Sequence, residues 1–176
     1  MTRNKSTINY LLCLIYEVVL ISQSDLFKSN LSGITKSFCG YLMSLILALW
    51  MTYLIQKVSR KLLDGKLNVI LLLATTLSVL VPYQEPTSFI SNLHIFSAYF
   101  SFATVSAITL FLLHELRWQD KKIVLLFNYF LIIHFIIMVL ACHFLVINGL
   151  MEIIYLSSVI AIYAYLNLVV ERLNKI

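Results

Sequence analysis

The sequence predicts an all-α polytopic membrane bundle of six transmembrane helices, with its N- and C-termini on the cytoplasmic side. Three observations predict it. The 176-residue chain is 61% hydrophobic and only 12% charged, with a mean hydropathy of +0.92, whereas a soluble domain carries about a quarter charged residues. Its apolar residues gather into six runs, Ile8–Ser24, Phe38–Ile55, Leu67–Val81, Leu93–Leu113, Ile123–Ile147 and Leu150–Val170. Its Lys and Arg residues fall on alternate breaks between those runs. Crossing a hydrocarbon core about 30 Å thick takes about 20 helical residues. Six crossings use most of the length, so residues 1–176 read as a single integral membrane domain.

The first run is short, holds Glu17 and follows a basic start. An acid within the apolar stretch and the lack of an A-x-A-like site after it favour a retained span over a cleaved signal peptide. The polar segment behind it, Asp25 to Ile34, is expected to lie along the outer surface. On this span Asn9, Cys13 and Glu17 recur every four residues, which places them on one face, expected to turn inward. The second run ends in Lys57-Val58-Ser59-Arg60-Lys61, and Asp64-Gly65-Lys66 turns the chain into the third. Pro82 closes the third, and Pro82 to Pro86 reads as an extended or turning loop because proline stops a helix. The fourth carries Ser97/Ser101 and Ala103/Ala107, small-xxx-small pairs that let helices approach closely, which predicts a central position for it. Asn148-Gly149 divides the fifth run from the sixth, with the glycine suited to a left-handed C-cap. The turn is short enough to predict a tight antiparallel hairpin.

Orientation follows from the positive residues. With the N-terminus inside, the inner side receives Arg3, Lys5, Lys57, Arg60, Lys61, Lys66, Arg117, Lys121, Lys122, Arg172 and Lys175, and the outer side only Lys28 and Lys36. Eleven against two is a strong positive-inside bias, and it supports an even number of spans. The same bias accounts for the net charge of +5 and makes a nucleic-acid partner unnecessary. The expected partners are membrane lipids and another membrane protein. Richness in Ile, Leu, Asn and Lys suggests an AT-rich bacterial genome and hence a plasma membrane. Cys13, Cys39 and Cys142 stand alone in apolar runs with no CxxC pair, so they read as small hydrophobes, although Cys39 and Cys142 reach similar outer depths. Tyr10, Tyr41, Tyr53, Tyr83, Trp50 and Trp118 fall mostly toward run ends, where amphipathic aromatics anchor in the interface. Both prolines lie in one loop, and the mid-membrane breaks of a secondary transporter find no counterpart in the runs.

Ionisable groups within spans are costly and are functional hypotheses by default. His94 opens the fourth span, His143 closes the fifth, Glu152 opens the sixth and Glu17 lies in the outer half of the first, with Glu85 in the loop before the fourth. All are expected on the outer side, so His94, His143, Glu152 and Glu17 are the candidate binding residues. No catalytic residue, metal site or cofactor is assigned. Two His and a carboxylate would suffice for an open zinc site, but neither HExxH nor HxxxH occurs. His134 and His143 stand nine residues apart, about 180° around a helix and about 13.5 Å along it, so they cannot share a metal on one helix. His134 reads as a buried hydrogen-bonder, its expected partner a hydroxyl on a neighbouring span.

The stretch LHIFSAYFSF, with His94, Ala98 and Phe102, resembles the His-xxx-small pattern of DRAM-like (damage-regulated autophagy modulator) six-span proteins. That superfamily includes GPI-anchor-remodelling relatives and bacterial members. NGLMEIIYLSSV, with Gly149 and Glu152, is similar to the small-then-acid entry to its last helix, although Ile153 stands where an aromatic residue is more typical. The resemblance implies six spans, both termini inside, and a modulator or lipid-linked role. Against the zinc hydrolases related to alkaline ceramidases and progestin receptors, the chain lacks HxxxH, and its aspartates Asp25, Asp64 and Asp120 all fall in loops. The reading is therefore a non-enzymatic multi-pass membrane protein with an outer-leaflet polar pocket for a lipid headgroup or a partner helix. A metal-assisted membrane lipid hydrolase using His94, His143 and Glu152 is the alternative, and an accessory subunit of a transporter or membrane complex is the second.

Overall fold

In hydrocarbon, a backbone can satisfy its own polar groups only as helix or closed barrel, and this chain chooses helix. A computed structural model describes residues 2–23, 34, 37–81, 89–144 and 148–173. Among the described residues six helices follow in order: α1 (Thr2–Ser22), α2 (Phe38–Ser59), α3 (Gly65–Leu80), α4 (Phe89–Leu116), α5 (Lys121–Phe144) and α6 (Gly149–Leu173). Each coincides with one of the six apolar runs. Most extend beyond them, because a polar turn can continue a helix past the edge of the hydrocarbon. α2, α4, α6 and the stretch Lys121–Leu140 of α5 are long and apolar enough to cross a membrane. The apolar stretches Thr7–Ser22 and Gly65–Ser78 are shorter, and the 16 residues of α3 span about 24 Å. The surface piece predicted for Asp25 to Ile34 (Ile34 apart), the loop Pro82 to Pro86 and the side chain of Cys142 lie outside the described residues. Cys39 is a free, exposed thiol.

Chain neighbours pack as spatial neighbours from α1 to α6, α6 closes back onto α1, and α2 and α6 touch across the middle. Each helix supplies one inward stripe. On α6 it runs through Met151, Tyr155, Val159, Ile162, Leu166 and Val170, and on α4 through Val105, Ile108, Leu112 and Leu116, all buried at the three- and four-residue steps of one helix face. The most apolar stretch of α6 is 56% buried, against 33% for α4 and 22% for α5. The helix at the centre is thus α6 rather than α4. The Ala103/Ala107 pair of α4 is exposed and sits on the outer surface among Phe96, Tyr99, Phe100 and Phe111. Small residues permit close approach, but the buried stripe on the opposite side sets which face is used.

The outward faces are apolar over most of the bundle, as with Leu125, Phe135, Met138 and Ile132 on α5. Exposed apolar surface on this scale is far beyond the few hundred Å² that a soluble monomer shows, and it suits a membrane-embedded protein.

Since lipid removes the hydrophobic drive between helices, packing and hydrogen bonds hold them together. Tyr10 donates to the Leu54 carbonyl at 3.1 Å and Tyr16 to Met43 at 3.0 Å, joining α1 to α2. Thr52 donates to Thr75 at 2.7 Å between α2 and α3. Tyr10 is therefore a buried fastener and not an interfacial anchor, whereas Trp118 and Tyr53 are exposed. The inward face of α1 runs Tyr10, Cys13, Glu17 and Leu20, while Asn9 is exposed. A strict four-residue step drifts about 40° per step from the 3.6-residue helix, and that drift carries Asn9 out of the seam.

The starts of α2, α5 and α6 are capped by side chains. Ser37 accepts from the Gly40 amide at 3.0 Å, and a Cβ at Gly40 would collide with the Ile34 carbonyl. Asn148 Oδ1 accepts from the Met151 amide at 3.2 Å, so this Asn is the N-cap of α6 and Gly149 its first residue. The glycine serves the start of α6 and not a C-cap. Asp120 precedes α5, accepting from the Lys122 amide at 2.9 Å and from the Tyr165 hydroxyl of α6 at 2.5 Å. The Tyr165 hydroxyl, then the Lys122 amide, hold its carboxyl below the usual carboxylate range. With a depressed folded value, the contribution of Asp120 to stability is present above the ordinary carboxylate range and is lost as pH falls through that lowered value. Replacement of Tyr165 by Phe should move the Asp120 titration back up toward the ordinary range, as followed by carboxyl-carbon NMR. An unchanged titration would contradict the tyrosine's part in it.

Candidate functional site

The four residues singled out from the sequence do not meet at one place: Glu17 and Glu152 lie on α1 and α6, His94 turns to the end of α3, and His143 is exposed. Glu17 of α1 is completely buried, and the Ser157 hydroxyl of α6 lies 3.3 Å from each of its carboxyl oxygens. One hydroxyl carries one proton, so it serves only one of those oxygens at a time. Glu152, partly buried in the first turn of α6, lies near enough to interact electrostatically with Glu17. Glu17 and Glu152 are therefore within electrostatic reach of each other where α1 and α6 pack.

His94 is engaged elsewhere. It is buried at 5% exposure, and its Nδ1 lies 2.5 Å from the Val81 carbonyl that ends α3. A carbonyl only accepts, so Nδ1 carries the proton and the ring satisfies a terminal carbonyl of α3, one of those left open at every helix C-terminus. His143 is exposed at the end of α5. Among the described residues no three His, Cys, Asp or Glu side chains are placed to hold one metal ion.

Two buried side-chain atoms have no hydrogen-bond partner among the described residues, Ser44 Oγ on α2 and Asn148 Nδ2 at the start of α6. Asn148 is 1% exposed and stands one helical turn before Glu152. Its Oδ1 is committed to the cap, leaving the amide nitrogen as an unused donor. Such groups are rare because burying one costs about 1–3 kcal/mol. The sequence shows Asn148 plainly, but as a turn residue. That its amide is left over depends on the cap geometry.

A further polar group lies deeper, between α4, α5 and α6. His134 Nδ1 is 2.8 Å from the Phe130 carbonyl and Nε2 is 2.8 Å from Ser106 Oγ. Ser106 Oγ lies 3.0 Å from the Tyr155 hydroxyl, which donates to the Phe102 carbonyl at 3.2 Å. The rings of Phe130, Phe102 and Tyr155 surround the imidazole with centroids at 4.2, 5.5 and 5.6 Å. Since the Phe130 carbonyl only accepts, Nδ1 is the protonated nitrogen, and in the neutral ring Nε2 accepts from Ser106. The expected hydroxyl partner of His134 is thus Ser106. Sequence reasoning passed over Ser106 and Tyr155. Their only signal was the spacing Phe102, Ser106, Thr109, which continues the buried face of α4.

A serine hydroxyl aimed at a neutral imidazole has the donor–acceptor order of an activated nucleophile. Here, however, Ser106 sits within α4, which runs unbroken from Phe89 to Leu116 and spends its amides on its own ladder. An acyl-transfer site needs free donors aimed at the developing oxyanion, and α4 presents no such amides. The group acts as a relay of hydrogen bonds fastening three helices.

No protein-family model, curated protein or solved structure matches this chain.

The relay makes a quantitative expectation. In a Ser106→Ala and His134→Phe double-mutant cycle, the coupling should be about 0.6–1.7 kcal/mol, the range for side-chain hydrogen bonds between membrane helices. Thermal unfolding in detergent reads it, and additive losses would show that the two side chains do not cooperate.

Proposed function

We propose that this chain is a six-span, non-enzymatic plasma-membrane protein with both termini in the cytoplasm, and that the side holding the starts of α2 and α6 binds the headgroup of an outer-leaflet lipid. The observation that carries this is the buried Asn148 Nδ2, without a hydrogen-bond partner among the described residues, one turn from Glu152, with Glu17 in electrostatic reach. Two carboxyl groups in one apolar seam resist ionising together unless a positive group joins them. A zwitterionic headgroup supplies both complements, an ammonium for Glu152 and Glu17 and a phosphate oxygen for Asn148. The resemblance to DRAM-like proteins agrees with such a lipid-linked role. Six crossings are supported by the ring of neighbouring helices. α1 completes it because its polar first turn continues the helix beyond the short apolar stretch, and for the 16 residues of α3 local thinning of the bilayer absorbs the mismatch at modest cost.

Topology is checked by labelling. A single cysteine at Lys61 should react with an impermeant maleimide only in inverted vesicles, and one at Lys36 only in intact cells. The opposite pattern would overturn the orientation. Binding is checked by native mass spectrometry. Retention of phosphatidylethanolamine should weaken about tenfold in Glu152→Gln and in Asn148→Ala, as expected for losing one charge-assisted or buried hydrogen bond. Unchanged retention in both would sink the headgroup reading. Co-purification of a stoichiometric membrane protein that both variants release would assign the seam to a partner helix instead.

A further inference from the structure

Between the end of α2 and the start of α3 lies a cleft of about 390 Å³, lined by the polar Gln56, Arg60 and Asn68 and by the apolar Leu63, Val69 and Leu72. Its shape is held by hydrogen bonds within the turn. Asn68 accepts from Ser59 at 2.5 Å and donates to the carbonyls of Asp64 at 3.2 Å and Leu63 at 3.5 Å, and Gln56 donates to the Asn68 carbonyl at 3.4 Å. These groups are consumed in building the cleft. Arg60 is not. It gives one N–H to Gln56 Oε1 at 2.7 Å, which fixes the guanidinium and leaves most of its five donors available.

The surroundings favour an anion. Lys57, Lys61 and Lys66 flank Arg60, with Asp64 the only acid from residue 57 to 66. Asp64 is the N-cap of α3 but makes no side-chain cap hydrogen bond, so its carboxyl leaves the first amides of α3 uncapped, and Gly65 at that start lines the cleft. At Gly65 an added Cβ would meet nothing within 4 Å, which leaves open space over that backbone. Below the polar end, Val69 and Leu72 are exposed three residues apart on one face of α3, so they extend an apolar track from the cleft along the bundle surface.

We infer that this cleft is a second lipid site, one that takes an anionic phospholipid with its phosphate at Arg60 and the start of α3 and an acyl chain along Val69 and Leu72. The guanidinium fork suits phosphate, and basic pockets between membrane helices on the cytoplasmic side are suited to anionic headgroups. A free phosphate ion would share the polar contacts but gain nothing from the apolar track. The inference rests on the proposed topology only in assigning the lipid to the inner leaflet.

Native mass spectrometry of the full chain in detergent tests it, and micelles make the result independent of orientation. Phosphatidylglycerol is titrated against phosphatidylcholine, with inorganic phosphate as competitor. Arg60→Gln should weaken phosphatidylglycerol retention about tenfold or more, while Lys61→Gln changes it less than about twofold, the scale of a diffuse surface charge. Gly65→Leu, which projects into the open space, should also abolish preferential retention while keeping the thermal midpoint of the parent. Equal losses in Arg60→Gln and Lys61→Gln would reduce the effect to general surface charge and overturn the site. Equal retention of phosphatidylcholine would overturn the anionic specificity, and full displacement by millimolar phosphate would replace the lipid with a free anion. Because this test turns on Arg60 and phosphatidylglycerol, its failure leaves the Asn148–Glu152 seam and phosphatidylethanolamine untouched, and the reverse also holds.

Discussion

The inward stripe of α6 is the element on which the other five helices depend. In water, apolar faces would find one another by avoiding solvent, but lipid offers apolar side chains equally good company. Helices then stay together through shape and through hydrogen bonds that the lipid cannot offer. α6 supplies both. Its buried stripe packs against α1, α2 and α5, and its hydroxyls add a tie to α4, from Tyr155 to Ser106 and Phe102, and a second tie to α1, from Ser157 to Glu17. Without it, α1 and α2 would meet the α3–α4–α5 group chiefly through the α2–α3 seam.

Tyrosine hydroxyls bonded to backbone carbonyls recur at these seams. A helical carbonyl already accepts one amide but keeps a second lone pair, so Tyr10, Tyr16 and Tyr155 can tie onto Leu54, Met43 and Phe102 without breaking any ladder. Serine and threonine have a local alternative. Ser97, Thr76 and Thr109 donate to the carbonyl four residues back on their own helix, which satisfies them wherever they face. A serine in a span is thus weak evidence for a helix contact, whereas a buried tyrosine hydroxyl must find a partner on another chain segment.

This difference explains what the sequence made legible. The six helices were readable because the bilayer penalises any unpaired backbone, so apolar runs of sufficient length have one outcome. The neighbours of each face were not readable, because they depend on rotation about the helix axis. Glu17 and Cys13 were placed inward correctly while Asn9 was not, since a few tens of degrees separate seam from surface. The pairing of Glu17 with Glu152 follows from depth and from α1 lying beside α6. The diversion of His94 to the α3 terminus required knowing that Val81 ends that helix beside it. For His134 the kind of partner was legible and its identity was not, because Ser106 is one of several small hydroxyls on α4.

Hydrogen-bond saturation in this bundle varies with depth, and that variation locates its capacity to bind. Toward the middle of α4 and α5, His134, Ser106 and Tyr155 consume one another's donors and acceptors, as a low dielectric demands when an open polar group costs several kcal/mol. The relay has nothing to give a ligand without being dismantled. Toward the helix ends, water and headgroups lower that cost, and the open groups are found there. Asn148 Nδ2 is unused at the start of α6, the two oxygens of Glu17 share one serine proton, and Arg60 has donors to spare where α2 meets α3. Arg60 lies at the opposite end of the bundle from Glu17 and Glu152, so the two proposed sites would meet headgroups of different charge. On the proposed reading recognition belongs to the rims of the bundle, while the hydrogen bonds at its centre hold those rims in place.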